Sequence, residues 1–381
     1  MRVLHVHERA AYHGGVEQIL RDMAAGLGAA GSPQALLHAD AAPEPAYLEP
    51  FADHGSGDDL IARFRPDVAL IHKLEDAGRV AALAARLPAA RMVHDHDLVC
   101  LRRHKYFPIG TRVCDRPAGL ACYTHLCFVQ RAATGSRLPV GFAAVGTRKR
   151  AIAAHAGVRA FLVGSRWMER ELVMNGIPGE RVHVLPPVPR SLAAVDPQPP
   201  SPEPEVLFVG QVIRGKGVDL LLHALSGVAR PWHATIAGIG NHLDACKTLA
   251  RELGIADAVT FTGWVPHEAL QQHYARAAVS AVPSRWPEPF GMVGIEAMAR
   301  ARPVVGFAVG GIPDWLEHNV TGLIAPEADT ATLGAHIGRL LHDPDLARTL
   351  GRQAAQRVGE RYQPADFQRR LLERLESVAA S

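Results

Sequence analysis

Glu288 and Glu296 stand eight positions apart in "SRWPEPFGMVGIEAMA", the first in a proline-flanked loop and the second in an apolar stretch with helical spacing. A helix starting near Gly291 puts the amides of Gly291, Met292 and Val293 in its first turn, where unpaired N–H groups and the positive dipole end suit a phosphate. Carboxylates accept hydrogen bonds from vicinal hydroxyls, so the two glutamates would hold hydroxyl-rich groups on either side of that phosphate. Taken alone, the pair is equally compatible with a loop charge and a solvated helix charge.

A second stretch points the same way. "VGQVIRGKGVDLL" places Gly210, Gln211, Arg214 and Lys216 in a glycine-rich turn between a strand and a helix, where a diphosphate would meet cationic donors. Near the start, "HGGVE" sets Gly14 and Gly15 behind the first strand, a tight turn or a place where backbone approaches a ligand closely, with Glu17 complementing the following helix dipole. Cys100, Cys114, Cys122 and Cys127 fall in one 28-residue window with thirteen, seven and four residues between them. With His104 and His125 they offer a tetrahedral zinc site, although that spacing is not a standard zinc pattern; disulfides and free thiols stay open.

These residues need a frame. Short β-rich runs alternate with amphipathic ones: "RVLHVH" then "VEQILRDMAAGL", "DVALIH" then "AGRVAALAARL", "RAFLVGS" then "RWMERELVMNG". The alternation implies crossover units and parallel sheets, an α/β class. Residues 186–204, "PPVPRSLAAVDPQPPSPEP", are too proline-rich for a helix or central strand and predict a linker. The expected organisation is a first domain over 1–190 with a cysteine-bearing insertion at about 100–127, a second over 205–360, and a charged C-terminal helix over 361–381 that packs on either domain. Two doubly wound domains would face each other across a cleft and bind ligands at the carboxyl ends of their strands.

At 381 residues, with 48% hydrophobic and 21% charged residues, the chain can bury a large core, and its net charge of +3 gives no global argument for nucleic acid. The first residues lack the pattern of a signal peptide, and no apolar run approaches the roughly 20 residues of a membrane helix, so a cytoplasmic protein is expected.

The chain resembles the retaining nucleotide-sugar glycosyltransferases of the GT-B fold, especially glycosyltransferase family 4. The resemblance runs through "HGGVEQ", "VGQVIRGKGVDLLL", "IAGIGN", "FTGWV", "PSRWPEPFGMVGIEAMA", "VGGIPDWL" and "VTGLIAP", and its most specific mark is the pair of glutamates with seven residues between them. It implies Glu288 on donor-sugar hydroxyls, Glu296 on the ribose, and Lys216 with Arg214 on the diphosphate. Gln211 departs from the arginine that the family often carries after the first glycine of this loop. The backbone near Gly263 and Trp264 would border the base.

His94 and Asp95, at the end of a predicted strand in "RMVHDHDLVC", match the family's His-Asp, with His94 as the polar contact to the donor sugar near the reacting carbon; His96 and Asp97 have weaker claims. "DHD" also matches the cation-binding Asp-any-Asp of the other large glycosyltransferase fold, GT-A, whereas GT-B enzymes generally need no cation for the phosphates. No catalytic cofactor is expected. Arg102, Arg103, Lys105, Arg148, Lys149 and Arg150, interleaved with apolar residues, would suit an anionic membrane surface or a lipid-linked acceptor, or form a solvated basic face. The implied reaction moves a sugar from a nucleoside diphosphate sugar to a glycan, glycolipid or smaller hydroxyl acceptor. A non-catalytic nucleotide-sugar-binding scaffold and a nucleotide-sugar epimerase are the alternatives.

Overall fold

A computed structural model describes residues 1–110, 112–131 and 140–381. Residues 137–139, at the start of the basic stretch that leads to Arg148, lie outside the described residues. The chain forms two compact units: residues 1–103, 115–190 and 364–381 make one, and residues 104–114 and 191–363 the other.

The first unit is built on a seven-stranded parallel sheet. Its strands lie in the order Asp53–Gly55, Gln34–Leu37, Val3–Val6, Val68–Ile71, Ala89–Val93, Ala160–Val163 and Val182–Val184. The central strands are buried throughout, which is why they read as nearly unbroken apolar runs. Leu4, Val6, Ile71, Val93, Phe161 and Met168 belong to the core between this sheet and its helices. The last helix, Pro364–Ala380, belongs to this unit: it buries Phe367, Leu371, Leu375 and Val378, and the Val378 carbonyl accepts from Arg159 Nη1 at 2.8 Å.

The second unit has a six-stranded parallel sheet. The order is Val259–Gly263, His233–Ala237, Glu205–Val209, Val279–Val282, Val304–Phe307 and Gly322–Ala325. The order reverses between Glu205–Val209 and Val279–Val282, so the loops leaving those two strands diverge at a topological switch point. The proline-rich stretch at 186–204 is not wholly extended. Arg190–Ala194 make a 3₁₀ turn, and Arg302 donates to the Gln198 and Pro199 carbonyls at 3.0 and 2.9 Å, which ties down backbone that has no ladder partner.

The segment His104–Cys114 packs with the second unit although its neighbours in sequence belong to the first. It forms an antiparallel bridge between Tyr106 and Val113. The Val113 amide donates to Glu327 at 2.5 Å, and the His104 ring lies 5.7 Å from that of Trp286.

Candidate functional site

In the second unit, the loop leaving Glu205–Val209 carries a 3₁₀ turn, Arg214–Lys216, and ends at Gly217 with φ +71°. A Cβ at Gly217 would stand 1.9 Å from the Pro283 carbonyl oxygen, so both conformation and space demand glycine. The loop leaving Val279–Val282 is "PSRWPEPF", whose three prolines prevent helix and keep the backbone extended. The two loops are stitched together: the Arg285 and Trp286 amides both donate to the Gly215 carbonyl, at 3.0 and 2.8 Å. Arg285, buried, spans the same gap with its side chain, donating to the Arg214 carbonyl at 2.6 Å and to both oxygens of Asp219 at 2.8 and 3.0 Å. Burial pushes the Asp219 carboxyl up, but the bonds and charge of Arg285 outweigh it and hold the group below the usual carboxylate range.

This stitching brings Lys216 onto Glu288. Its ammonium lies 2.7 and 2.9 Å from the two carboxylate oxygens, and Ser284 Oγ donates to one of them at 2.6 Å. Glu288 is only 4% exposed, and its backbone is held by the Gly311 amide, which donates to its carbonyl at 2.7 Å. Gly310, at φ +56°, passes so close that a Cβ there would lie 2.4 Å from the Glu288 nitrogen. Gly291, at φ +94°, caps the helix Met292–Ala299, whose first residues are Met292 and Val293. Trp315 props that helix: its indole N–H donates to the Phe290 carbonyl at 2.6 Å and its ring lies where a Gly294 Cβ would point. Glu296 sits one turn in, half-buried. Gln211 and Arg214 are exposed beside Lys216 in sequence, Gly210 turns the chain at φ +146°, Gly263 (φ +75°) ends the outermost strand and Trp264, 69% exposed, follows it.

Sequence reasoning did not anticipate Ser284, Arg285 or Asp219 as supports, nor the Lys216–Glu288 ion pair. Ser284 and Arg285 lie within the motif itself, so the signal available was an arginine and a hydroxyl between two prolines.

In the first unit, His94 follows the strand Ala89–Val93 directly. Its Nε2 lies 3.0 Å from His72 Nδ1, and His72 Nε2 lies 3.0 Å from His5 Nδ1. Burial pushes His5 down to about 4 and His94 down to about 3. Glu17 meets His7 at 3.2 Å rather than acting on the helix dipole alone. Gly14 is extended at φ 176°, a conformation open to any residue, and both Gly14 and Gly15 are exposed.

The carboxylates of "DHD" are already engaged, Asp95 with Lys73 at 3.2 Å and Asp97 with buried Arg91 at 3.1 Å. Among the described residues no group of three or more His, Cys, Asp or Glu side chains gathers as a metal site. Of the four cysteines of the zinc alternative, Cys100, Cys122 and Cys127 belong to the first unit and Cys114 to the second. Arg102, Arg103 and Arg148 are turned to local partners: the Val129 carbonyl, Glu75 and the Asp97 carbonyl. Among the described residues no helix is long and apolar enough to cross a membrane.

The buried histidines give folding a pH dependence. A ring kept neutral in the fold takes up a proton in the unfolded chain near its ordinary value of 6.5, so the stabilisation is complete above that pH and is lost as pH falls toward the folded value. His5 alone accounts for about 3 kcal/mol of loss between neutral pH and pH 4, at about 1.4 kcal/mol per pH unit. Urea unfolding at pH 7, 6, 5 and 4 is expected to show a falling midpoint at each step; a flat profile would contradict the neutral assignment.

Residues 193–357 match the family model described as glycosyl transferases group 1. Among curated proteins, the GDP-mannose-dependent alpha-(1-6)-phosphatidylinositol monomannoside mannosyltransferase of Mycobacterium tuberculosis is 34% identical over 39% of this chain, which spans 41% of that relative's length. The solved structure of sucrose-phosphate synthase from Thermosynechococcus elongatus superposes with TM-score 0.76 at 21% identity, covering 100% of both chains. Anabaena HepE in complex with UDP and glucose gives TM-score 0.74 at 19% identity, covering 99% of this chain and 100% of that one.

Proposed function

We propose, from the premise that this chain has the GT-B fold and carries in residues 193–357 a domain of the glycosyl transferases group 1, that it transfers a sugar from a nucleoside diphosphate sugar to a hydroxyl acceptor. The observation that carries the reading is the Lys216–Glu288 pair, held at the switch point beside a glycine-capped helix start. An ammonium and a carboxylate in contact match the two ends of a phosphate–sugar linkage. Lys216 and Arg214 take the diphosphate with the first-turn amides of Met292 and Val293, Glu288 takes sugar hydroxyls, and Glu296 takes the ribose.

Retention follows from a same-face displacement. The bond from the anomeric carbon to the phosphate oxygen breaks, the acceptor oxygen bonds to that carbon on the same face, and the acceptor proton passes to the departing phosphate. Neither glutamate need form a covalent bond. Lys216 and the helix start stabilise the negative charge that grows on the leaving group. The place of such a reaction in glycan or glycolipid synthesis is consistent with the mycobacterial relative, whose acceptor is a phosphatidylinositol monomannoside, and a lipid-linked acceptor would bring the protein to a membrane surface.

Calorimetric titration with UDP-, GDP- and ADP-sugars, in EDTA and again in magnesium, tests this directly. One nucleotide class is expected to bind without added cation, and Glu296→Ala to weaken it roughly 10- to 150-fold, the loss of about 1.5–3 kcal/mol from hydrogen bonds to a charged group. Binding that appears only with added cation, or none at all, would overturn the reading.

A further inference from the structure

Four adjacent strands of the first unit contribute one polar side chain each to a line that is buried at Gln34, His5 and His72 and half-buried at His94. Gln34 lies in Gln34–Leu37, His5 in Val3–Val6, and His72 and His94 directly follow Val68–Ile71 and Ala89–Val93. Gln34 Oε1 lies 2.8 Å from His5 Nε2, and the two histidine contacts beyond it are each 3.0 Å. The His5–His72 and His72–His94 rings stack with centroids 5.2 Å apart in both cases.

The line has a direction, and its far end sets it. Gln34 Nε2 lies 2.6 Å from the Ser32 carbonyl oxygen, which can only accept. The amide nitrogen must therefore face Ser32, and Oε1 must face His5 and accept from its Nε2–H. A neutral His5 then has a lone pair on Nδ1, which accepts from His72 Nε2–H. His72 in turn accepts at Nδ1 from His94 Nε2–H. Reversing the line would set Gln34 Oε1 against the Ser32 carbonyl oxygen, two acceptors in contact at a buried site.

We infer that Gln34, His5 and His72 are positioning residues that lock His94 as its Nε2–H tautomer, so that its Nδ1 offers a lone pair and selects a hydroxyl donor on the ligand. The identity of that hydroxyl as one on a sugar rests on the function proposed above; the tautomer does not. A phosphate or carbonyl oxygen, having no proton to give, is refused at Nδ1. Burial of the line supports the assignment, since it holds His5, His72 and His94 neutral at pH 7. Besides His72, the charged or titratable groups that act on His94 are His7, Asp95, Arg91 and Glu17.

The test is a long-range ¹H–¹⁵N correlation spectrum of the full chain labelled with ¹⁵N-histidine, at pH 7.5 and without ligand, with His94→Gln used to assign the His94 signals. His94 is expected as a single Nε2–H tautomer. Gln34→Leu removes the anchor and His72→Phe cuts the line, and each is expected to give a mixed tautomer at His94. A wild-type His94 that is Nδ1–H or doubly protonated overturns the inference, as does an Nε2–H state unchanged in both variants. Because no donor is present, failure of the donor to bind in calorimetry would leave this result standing.

Discussion

Lys216→Met is expected to lower kcat for sugar transfer about 100- to 1000-fold, the range found when one preorganised donor to a developing oxyanion is removed. Methionine keeps the length and apolar stem of the side chain while deleting the ammonium that sits against both oxygens of Glu288. The loss should fall on kcat, with the acceptor KM little changed, because in the function proposed above the charge is needed most when the diphosphate departs. Some stability goes too, since buried Glu288 loses the ammonium and keeps the Ser284 hydroxyl. Lys216 is about a quarter exposed, so the cost lies well below the about 3–5 kcal/mol of breaking a wholly buried pair. Lys216→Arg keeps the charge but brings a planar fork where a compact ammonium fits between two oxygens, and partial activity is expected. Initial-rate kinetics on the three proteins, with circular dichroism to compare their folds, reads these outcomes. An undiminished rate in Lys216→Met would remove the lysine from the mechanism.

Trp315→Ala is expected to destabilise the second unit by about 3–5 kcal/mol, in the range for deleting a large buried aromatic. The side chain is fully buried and fills the space beneath Gly291 and Gly294, so its removal opens a cavity under the helix that carries Glu296. It also strips the Phe290 carbonyl of its indole donor. At roughly 2–4 °C per kcal/mol for a body of this size, the melting transition should fall by roughly 10 °C. Trp315→Phe keeps most of the packing but loses the hydrogen bond, and about half the effect is expected. Differential scanning calorimetry reads both. An alanine variant that melts with the wild type would show that the prop is not needed.

The parts of this protein that were legible in its sequence share a short range. Strand–helix alternation disclosed both parallel sheets, because a strand buried on both faces must be apolar and the helix after it must be amphipathic. The glycine cap at Gly291 and the loop at Arg214–Lys216 were visible for the same reason: each motif is contiguous. The contact between Lys216 and Glu288 spans 72 residues and exists because the strands Glu205–Val209 and Val279–Val282 are neighbours at the switch point, a fact of sheet order that no local pattern carries. The histidine line was missed for a related reason. His72 and His94 each look like one polar residue at the edge of an apolar run and His5 like one inside such a run, and because His5 pairs in register with Leu70 no alignment of "LHVH", "ALIHK" and "MVHDH" by strand end superposes the three. The direction of the line depends on Gln34, which reads as an ordinary polar residue at the start of a strand.

The passage of His104–Cys114 into the second unit has a consequence for modularity. The polypeptide changes unit four times, after Arg103, Cys114, Arg190 and Gln363, so neither unit is a single stretch of sequence. A fragment spanning residues 191–363 would hold all six strands of the second unit's sheet and still lack Tyr106, which lies 3.8 Å from where a Gly215 Cβ would stand, and His104, which packs against Trp286. Recombination between such proteins at the linker would therefore pair the Arg214–Lys216 loop with a foreign covering segment, and the two have to be exchanged together.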